Sequence, residues 1–229
     1  MSDLSQHRPS RLSRIAAAWP EARLWAEFTA LYIGAPLAIA LFLPPEQMFG
    51  ALAAFTLAGL GLLWFTGGFD WRQALRGWSR IDWRLVGLVA AATTIAGLAV
   101  LVVAAPHAIF ALPRYQPALL LMILALYPLL SALPQELIFR PLFFHRYGRL
   151  MPDARVAIWV NAGVFAFAHL MYWSLIVTLF TFVGGLIFAR SYLQRGLPEV
   201  WVLHAVAGNI LFAIGMGVYF YSGNVVRPF

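Results

Sequence analysis

The sequence predicts an all-α, polytopic transmembrane helical bundle of about seven membrane spans, eight with an interfacial helix, and three observations carry that prediction. Hydrophobic residues make up 62% of the 229 positions and charged residues only 11%, where a soluble domain is about a quarter charged. The apolar residues fall into seven long runs, and crossing the hydrocarbon layer takes about 20 of them. Segments of alternating hydrophobicity that would mark a β-barrel are absent. Backbone in lipid must satisfy its own hydrogen bonds, so each run is a helix.

In chain order the runs cover 26–43, 47–66, 85–105, 117–139, 156–172, 174–189 and 199–220, the sixth being short. Residues 1–25 are polar and carry Arg8, Arg11, Arg14 and Arg23, which reads as a cytoplasmic N-terminal segment. The first run ends in Leu43-Pro44-Pro45 without a small-residue cleavage site, so it is expected to be a retained span and not a signal peptide. The longest connection, 67–84, places Trp71, Leu75 and Trp78 at helical spacing among arginines. That pattern predicts a short helix in the cytoplasmic interface, acting as an anchor. No linker, low-complexity tract or convincing repeat divides residues 26–229, which read as one membrane domain.

Cysteine is absent, which excludes disulfides and thiol chemistry. All sixteen basic residues are arginine, and thirteen fall on the side of the N-terminus against two, Arg114 and Arg227, on the other. By the positive-inside rule the N-terminus is cytoplasmic, in a multi-pass protein of the plasma or bacterial inner membrane. The net charge of +7 is thereby a matter of topology. The arginines are divided among short loops and not gathered on one face, so no nucleic-acid partner is expected.

Polar and ionisable residues inside spans are expensive, about 2.5–3.5 kcal/mol each for Asp, Lys or Arg on insertion scales, and mark function by default. Here they are Gln135, Glu136 and Arg140 at the end of the fourth run, Asn161 and His169 in the fifth, and His204 and Asn209 in the seventh. Glu136 and Arg140, spaced i and i+4, can pair on one helix face. A carboxylate with two imidazoles suits hydrolysis, as general base, proton donor and oxyanion support. The same three side chains, Glu136, His169 and His204, could instead hold a divalent metal such as zinc with one open position. The ordinary zinc-protease motif H-E-x-x-H is missing.

These patches, in this order, resemble the CPBP family of intramembrane proteases, which includes the CAAX prenyl endopeptidases and bacterial relatives linked to bacteriocin processing and immunity. That family carries E-E-x-x-x-R, F-x-x-x-H and H-x-x-x-N, and the resemblance spans about 117–220. It places the second glutamate on Glu136, the arginine on Arg140, the aromatic on Phe165 and the histidines on His169 and His204. In the family the first glutamate and second-motif histidine are thought to activate water, and the last histidine and asparagine to stabilise the oxyanion.

Two positions depart from that pattern. Gln135 stands where the first glutamate belongs, and its amide can position water without deprotonating it. Gly208 stands four residues after His204, with the amide one residue later at Asn209, about 140° from His204 on a regular helix. The resemblance implies an intramembrane endopeptidase, of metallo- or glutamic type, acting on membrane-associated peptides, prenylated ones being the best-known case. Glu136 would then serve as base or water-orienting carboxylate with His169, His204 would support the oxyanion, and Gln135, Arg140, Phe165 and Asn209 would support the site. The alternative is a non-catalytic member that uses the same cavity to bind a peptide, lipid or partner helix. A transporter is disfavoured, since neither inverted repeats nor paired broken helices are seen.

Overall fold

The computed structural model describes residues 21–44, 47–67, 69–221 and 225; the expected N-terminal segment therefore lies outside the described residues up to 20, and 21–25 already form the first turn of a helix. Six helices are long and apolar enough to cross a membrane: α1 (Glu21–Phe42), α3 (Trp83–Ala104), α4 (Pro117–Leu150), α5 (Ala154–Tyr172), α6 (Leu175–Arg195) and α7 (Leu197–Ile214). The second run forms a shorter helix, α2 (Met48–Trp64). No strand occurs among the described residues. The chain is a polytopic helical bundle, as its apolar runs require.

Several boundaries differ from the sequence expectation, each for a local reason. Helix α4 runs on to Leu150 over 34 residues, because Pro141 does not end it. Proline removes the N–H that Leu137 would receive, and the helix widens into a π segment, Ile138–Tyr147, that carries the chain past it. A second π segment, Pro128–Ala132, does the same at Pro128, and a third, Ala30–Gly34, abuts Pro36. Helix α6 is not short: its last turn is polar and continues to Arg195. Helix α7 stops at Ile214, where Gly215 adopts φ 115 and its N–H closes on Leu211 and Phe212 carbonyls.

The interfacial helix expected over 67–84 is broken into two turns, Trp71–Ala74 and Trp78–Arg80. Asp70 caps the first by accepting the N–H groups of Arg72 and Gln73, and Gly77 at φ 113 turns the chain before the second. Trp71, Leu75 and Trp78 consequently do not share one stripe. Trp78 stacks edge-on against Trp201, 5.6 Å between ring centres, and so ties the connection to α7.

The core lies between α1, α4, α5, α6 and α7. Tyr32, fully buried, packs its ring on Phe139, Phe143 and Tyr147 and donates its hydroxyl to the Ile138 carbonyl at 2.7 Å. Helices α5 and α6 approach closely at Gly185, where a Cβ would stand 3.0 Å from Ala162 Cα. Arg146 of α4 pairs with Glu27 of α1 and donates to Thr66 just beyond α2.

Candidate functional site

The long fourth helix resolves a problem of depth. Counted from the ends expected by sequence, His169 sits far deeper than Glu136. With α4 reaching Leu150, Glu136 lies as many residues from that end as His169 lies from Arg155, a climb of roughly 20 Å for each at 1.5 Å per residue. His204 meets them because the α6–α7 turn is itself buried: Leu197, Pro198, Glu199 and Val200 are all covered.

Glu136 has no exposed surface and is held at both oxygens. Its Oε1 lies 2.7 Å from His204 Nδ1, and its Oε2 lies 3.0 Å from Arg140 Nε. The second contact is an ion pair whose N–H is not aligned as a hydrogen bond. Arg140, equally buried, donates through Nη1 to Asn161 Oδ1 and to the Phe139 carbonyl at 3.3 Å. Its guanidinium lies over the ring of Phe165, 4.9 Å from the centroid. Asn161 completes the clamp by donating its Nδ2 to the same Phe139 carbonyl. The pairing of Glu136 and Arg140 across one helical turn thus appears as the i, i+4 spacing requires, and Asn161, noted in sequence only as a polar residue in a span, holds the arginine.

His169 is positioned by the end of a helix. The main chain of α5 tightens after Ala168, so that the His169 N–H bonds to the Ala166 carbonyl and the Phe165 carbonyl loses its usual partner. The side chain supplies the replacement: His169 Nδ1 lies 2.8 Å from Phe165 O. A carbonyl only accepts, so Nδ1 carries the hydrogen and, in the neutral ring, Nε2 carries the lone pair. The four-residue spacing of Phe165 and His169 is what makes this bond reachable, and the ring stacks between Phe165 and Tyr172.

Gln135 donates its Nε2 to Ser131 Oγ at 2.9 Å, one turn back, and its Oε1 is left buried without a protein partner. His204 has both ring nitrogens engaged, Nδ1 with Glu136 and Nε2 with Tyr127 Oη at 3.0 Å. Its ring stacks on Phe188, 5.2 Å between centroids at 26°.

Gln135, His169, His204, Tyr127 and Ser131 line one cavity of about 1420 Å³ whose remaining walls are mostly apolar, among them Leu85, Ile123, Phe139 and Phe180. Leu88, Met122, Leu130, Leu179 and Val183 belong both to this lining and to the exposed apolar surface. The cavity therefore reaches the face that meets lipid. No aspartate or glutamate is among its lining residues, counted over the described residues. Glu136 sits behind His204 and does not reach the cavity directly.

Asn209 does not join this group. Its Nδ2 donates to the Leu124 carbonyl at 3.2 Å, the carbonyl that Pro128 cannot serve because it has no N–H. Helix α7 remains a regular α-helix through this stretch, so no bulge turns Asn209 onto the face of His204. The zinc reading also loses its basis in geometry: no three His, Cys, Asp or Glu side chains among the described residues are arranged to hold a metal ion. Glu136 and His204 are spent on each other and on Arg140 and Tyr127, so this donor set does not fit a metal.

Tyr127, Ser131 and Phe188 were not singled out in the sequence. Ser131 is i−4 from Gln135 and was legible as its partner; Tyr127 lies two turns before Gln135 on α4 and Phe188 reaches the site from α6, and nothing in their local sequence marks them.

Residues 116–210 match a family model described as type II CAAX prenyl endopeptidase Rce1-like. The matched segment runs from the start of α4 into α7 and contains Tyr127, Gln135, Glu136, Arg140, His169 and His204. Neither the curated proteins nor the solved structures provide a match.

Proposed function

We propose that this multi-pass membrane protein of CAAX-protease type is an intramembrane endopeptidase that hydrolyses membrane-associated peptides, prenylated ones among them, with His169 as the base. The observation that carries the reading is the bond from His169 Nδ1 to the Phe165 carbonyl, which leaves the Nε2 lone pair to the cavity that His169 lines. Gln135 supports it. Its amide nitrogen is committed to Ser131, so its free Oε1 is an acceptor for one hydrogen of a water molecule while His169 Nε2 accepts the other.

In the reaction the water oxygen forms a bond to the peptide carbonyl carbon, its proton passes to His169 Nε2, and the carbonyl π pair becomes the oxyanion. Collapse breaks the C–N bond, and the leaving nitrogen takes the proton back from His169 as it departs as an amine. Glu136 then acts through His204, which it orients and whose positive charge it can balance, and not as the base itself. The peptide reaches the site sideways from lipid, consistent with exposed apolar residues in the cavity wall. By the arginine count the N-terminus is cytoplasmic and the protein belongs to the plasma (inner) membrane.

A second reading follows from a specific observation: among the described residues the cavity wall holds no carboxylate, and Gln135 stands where the family's first glutamate belongs. On that reading the protein binds a peptide, lipid or partner helix without cutting it. Purified protein in lipid, given membrane-tethered and prenylated peptides, decides between them. Cleavage by the unaltered chain that His169→Ala abolishes supports the endopeptidase. No cleavage by the unaltered chain, with cleavage by Gln135→Glu, establishes a competent fold used for binding.

A further inference from the structure

We propose that Tyr127 is the oxyanion donor of this site and occupies the place of the amide that the third motif lacks; the proposal rests on the hydrolytic reading above. The first observation is steric. A Cβ built on Gly208 would fall onto the Tyr127 ring, at Cε1, Cζ and the hydroxyl. Where the family pattern has an asparagine side chain four residues after the histidine, this protein has a phenol reaching in from α4, and glycine is the residue that leaves it room.

The second observation is chemical. His204 has no nitrogen left for a substrate, because Nδ1 meets Glu136 at 2.7 Å and Nε2 meets Tyr127 Oη at 3.0 Å. Any stabilisation that His204 gives the oxyanion must therefore pass through the phenol. When His204 carries both protons, Nδ1–H donates to Glu136 and Nε2–H donates to the Tyr127 oxygen, which frees the phenolic O–H for a group in the cavity. When it carries one, the phenol spends its hydrogen on Nε2 and offers the cavity none. Tyr127 thus hands the charge of the His204–Glu136 pair to the reacting oxygen by hydrogen bonding, with no bond made to it.

The third observation is positional. Tyr127 lines the cavity with His169 and Gln135, and its ring is held by Phe212 and His204 at centroid distances of 5.7 and 6.0 Å. The competing amides are each turned to another partner, Asn209 Nδ2 donating to Leu124 O and Gln135 Nε2 to Ser131 Oγ.

The test compares binding of a membrane-tethered peptide with binding of its phosphinic analogue, whose tetrahedral, anionic centre mimics the intermediate, by the full chain in lipid. Tyr127→Phe is expected to weaken the analogue at least tenfold while leaving the peptide within about twofold, and to lower kcat by about 10²-fold at unchanged KM, in the range seen on removing one oxyanion donor. Tyr127→Ala combined with Gly208→Asn is expected to regain part of the loss, since the asparagine then has the vacated space. Equal weakening of peptide and analogue, or no change in either, overturns the role of Tyr127 while leaving the endopeptidase reading in place. An unaltered chain that binds neither ligand overturns both.

Discussion

His169 and His204 lie against the same ring, that of Phe165, at centroid separations of 4.8 and 5.7 Å, yet they are held in different ways. His204 is fixed by a carboxylate and a phenol, and His169 by a main-chain carbonyl alone. Two imidazoles in one cavity with such different partners can divide the work of base and charge support.

If His169 is the base, His169→Gln lowers the cleavage rate by about 10²–10⁴-fold, the usual contribution of a positioned proton acceptor. Its one side-chain hydrogen bond among the described residues is to the Phe165 carbonyl, so the fold loses about 1 kcal/mol and the unfolding midpoint moves little. A variant that keeps more than a tenth of the activity would remove His169 from the chemistry.

Glu136 and Arg140 have no exposed surface, so removing one strands the other. Arg140→Ala is expected to cost about 3–5 kcal/mol in a denaturation series in detergent, whereas Glu136→Gln combined with Arg140→Met recovers most of it, because no charge is then left unpaired. A loss below 1 kcal/mol for Arg140→Ala would mean that water or lipid headgroups reach Glu136.

The fold was legible because hydropathy acts over whole segments, and lipid leaves helices as the choice. The Glu136–Arg140 pair was legible because it is local, one turn apart. Less could be read where proline acts. Pro141, just past the end of the fourth run, looks like a helix end, but a π segment carries α4 through it, and this lengthening sets the depth of Glu136. Tyr127 was hidden because its partner Gly208 is more than two helices away in sequence, and an absent side chain gives no signal of what fills its space. The broken interfacial stripe turned on Gly77, whose left-handed turn outweighs the spacing of Trp71, Leu75 and Trp78.

Glu199 is a second buried carboxylate, remote in role from the cavity. It accepts the Asp82 N–H at 2.7 Å and the Ser191 hydroxyl at 2.9 Å, and lies 3.4 Å from Arg195 Nε. It thereby fastens the connection before α3 to the turn between α6 and α7. Glu199→Ala leaves the Asp82 N–H and the Ser191 hydroxyl without their acceptor, and is expected to destabilise by about 1–3 kcal/mol and to admit protease between 67 and 82. Arg195→Ala, at a side chain 38% exposed, costs up to about 1 kcal/mol. Equal effects from the two would place the strength of this clasp in the arginine.

Asn209 offers the sharpest separation of structure from chemistry. On the family pattern an amide near this point serves the oxyanion, but here its Nδ2 bonds to the Leu124 carbonyl, which the N–H of residue 128 would serve were it not proline. Asn209→Ala should therefore leave kcat within about twofold while costing about 1 kcal/mol for the hydrogen bond lost to a half-buried carbonyl. Pro128→Ala restores an N–H at the position that Leu124 would ordinarily receive. In that background the cost of Asn209→Ala should fall toward zero, a coupling that a double-mutant cycle reads directly. Additive costs would mean that Asn209 holds α7 against α4 by packing and not by serving the Leu124 carbonyl, and a large fall in kcat for Asn209→Ala alone would return it to the oxyanion.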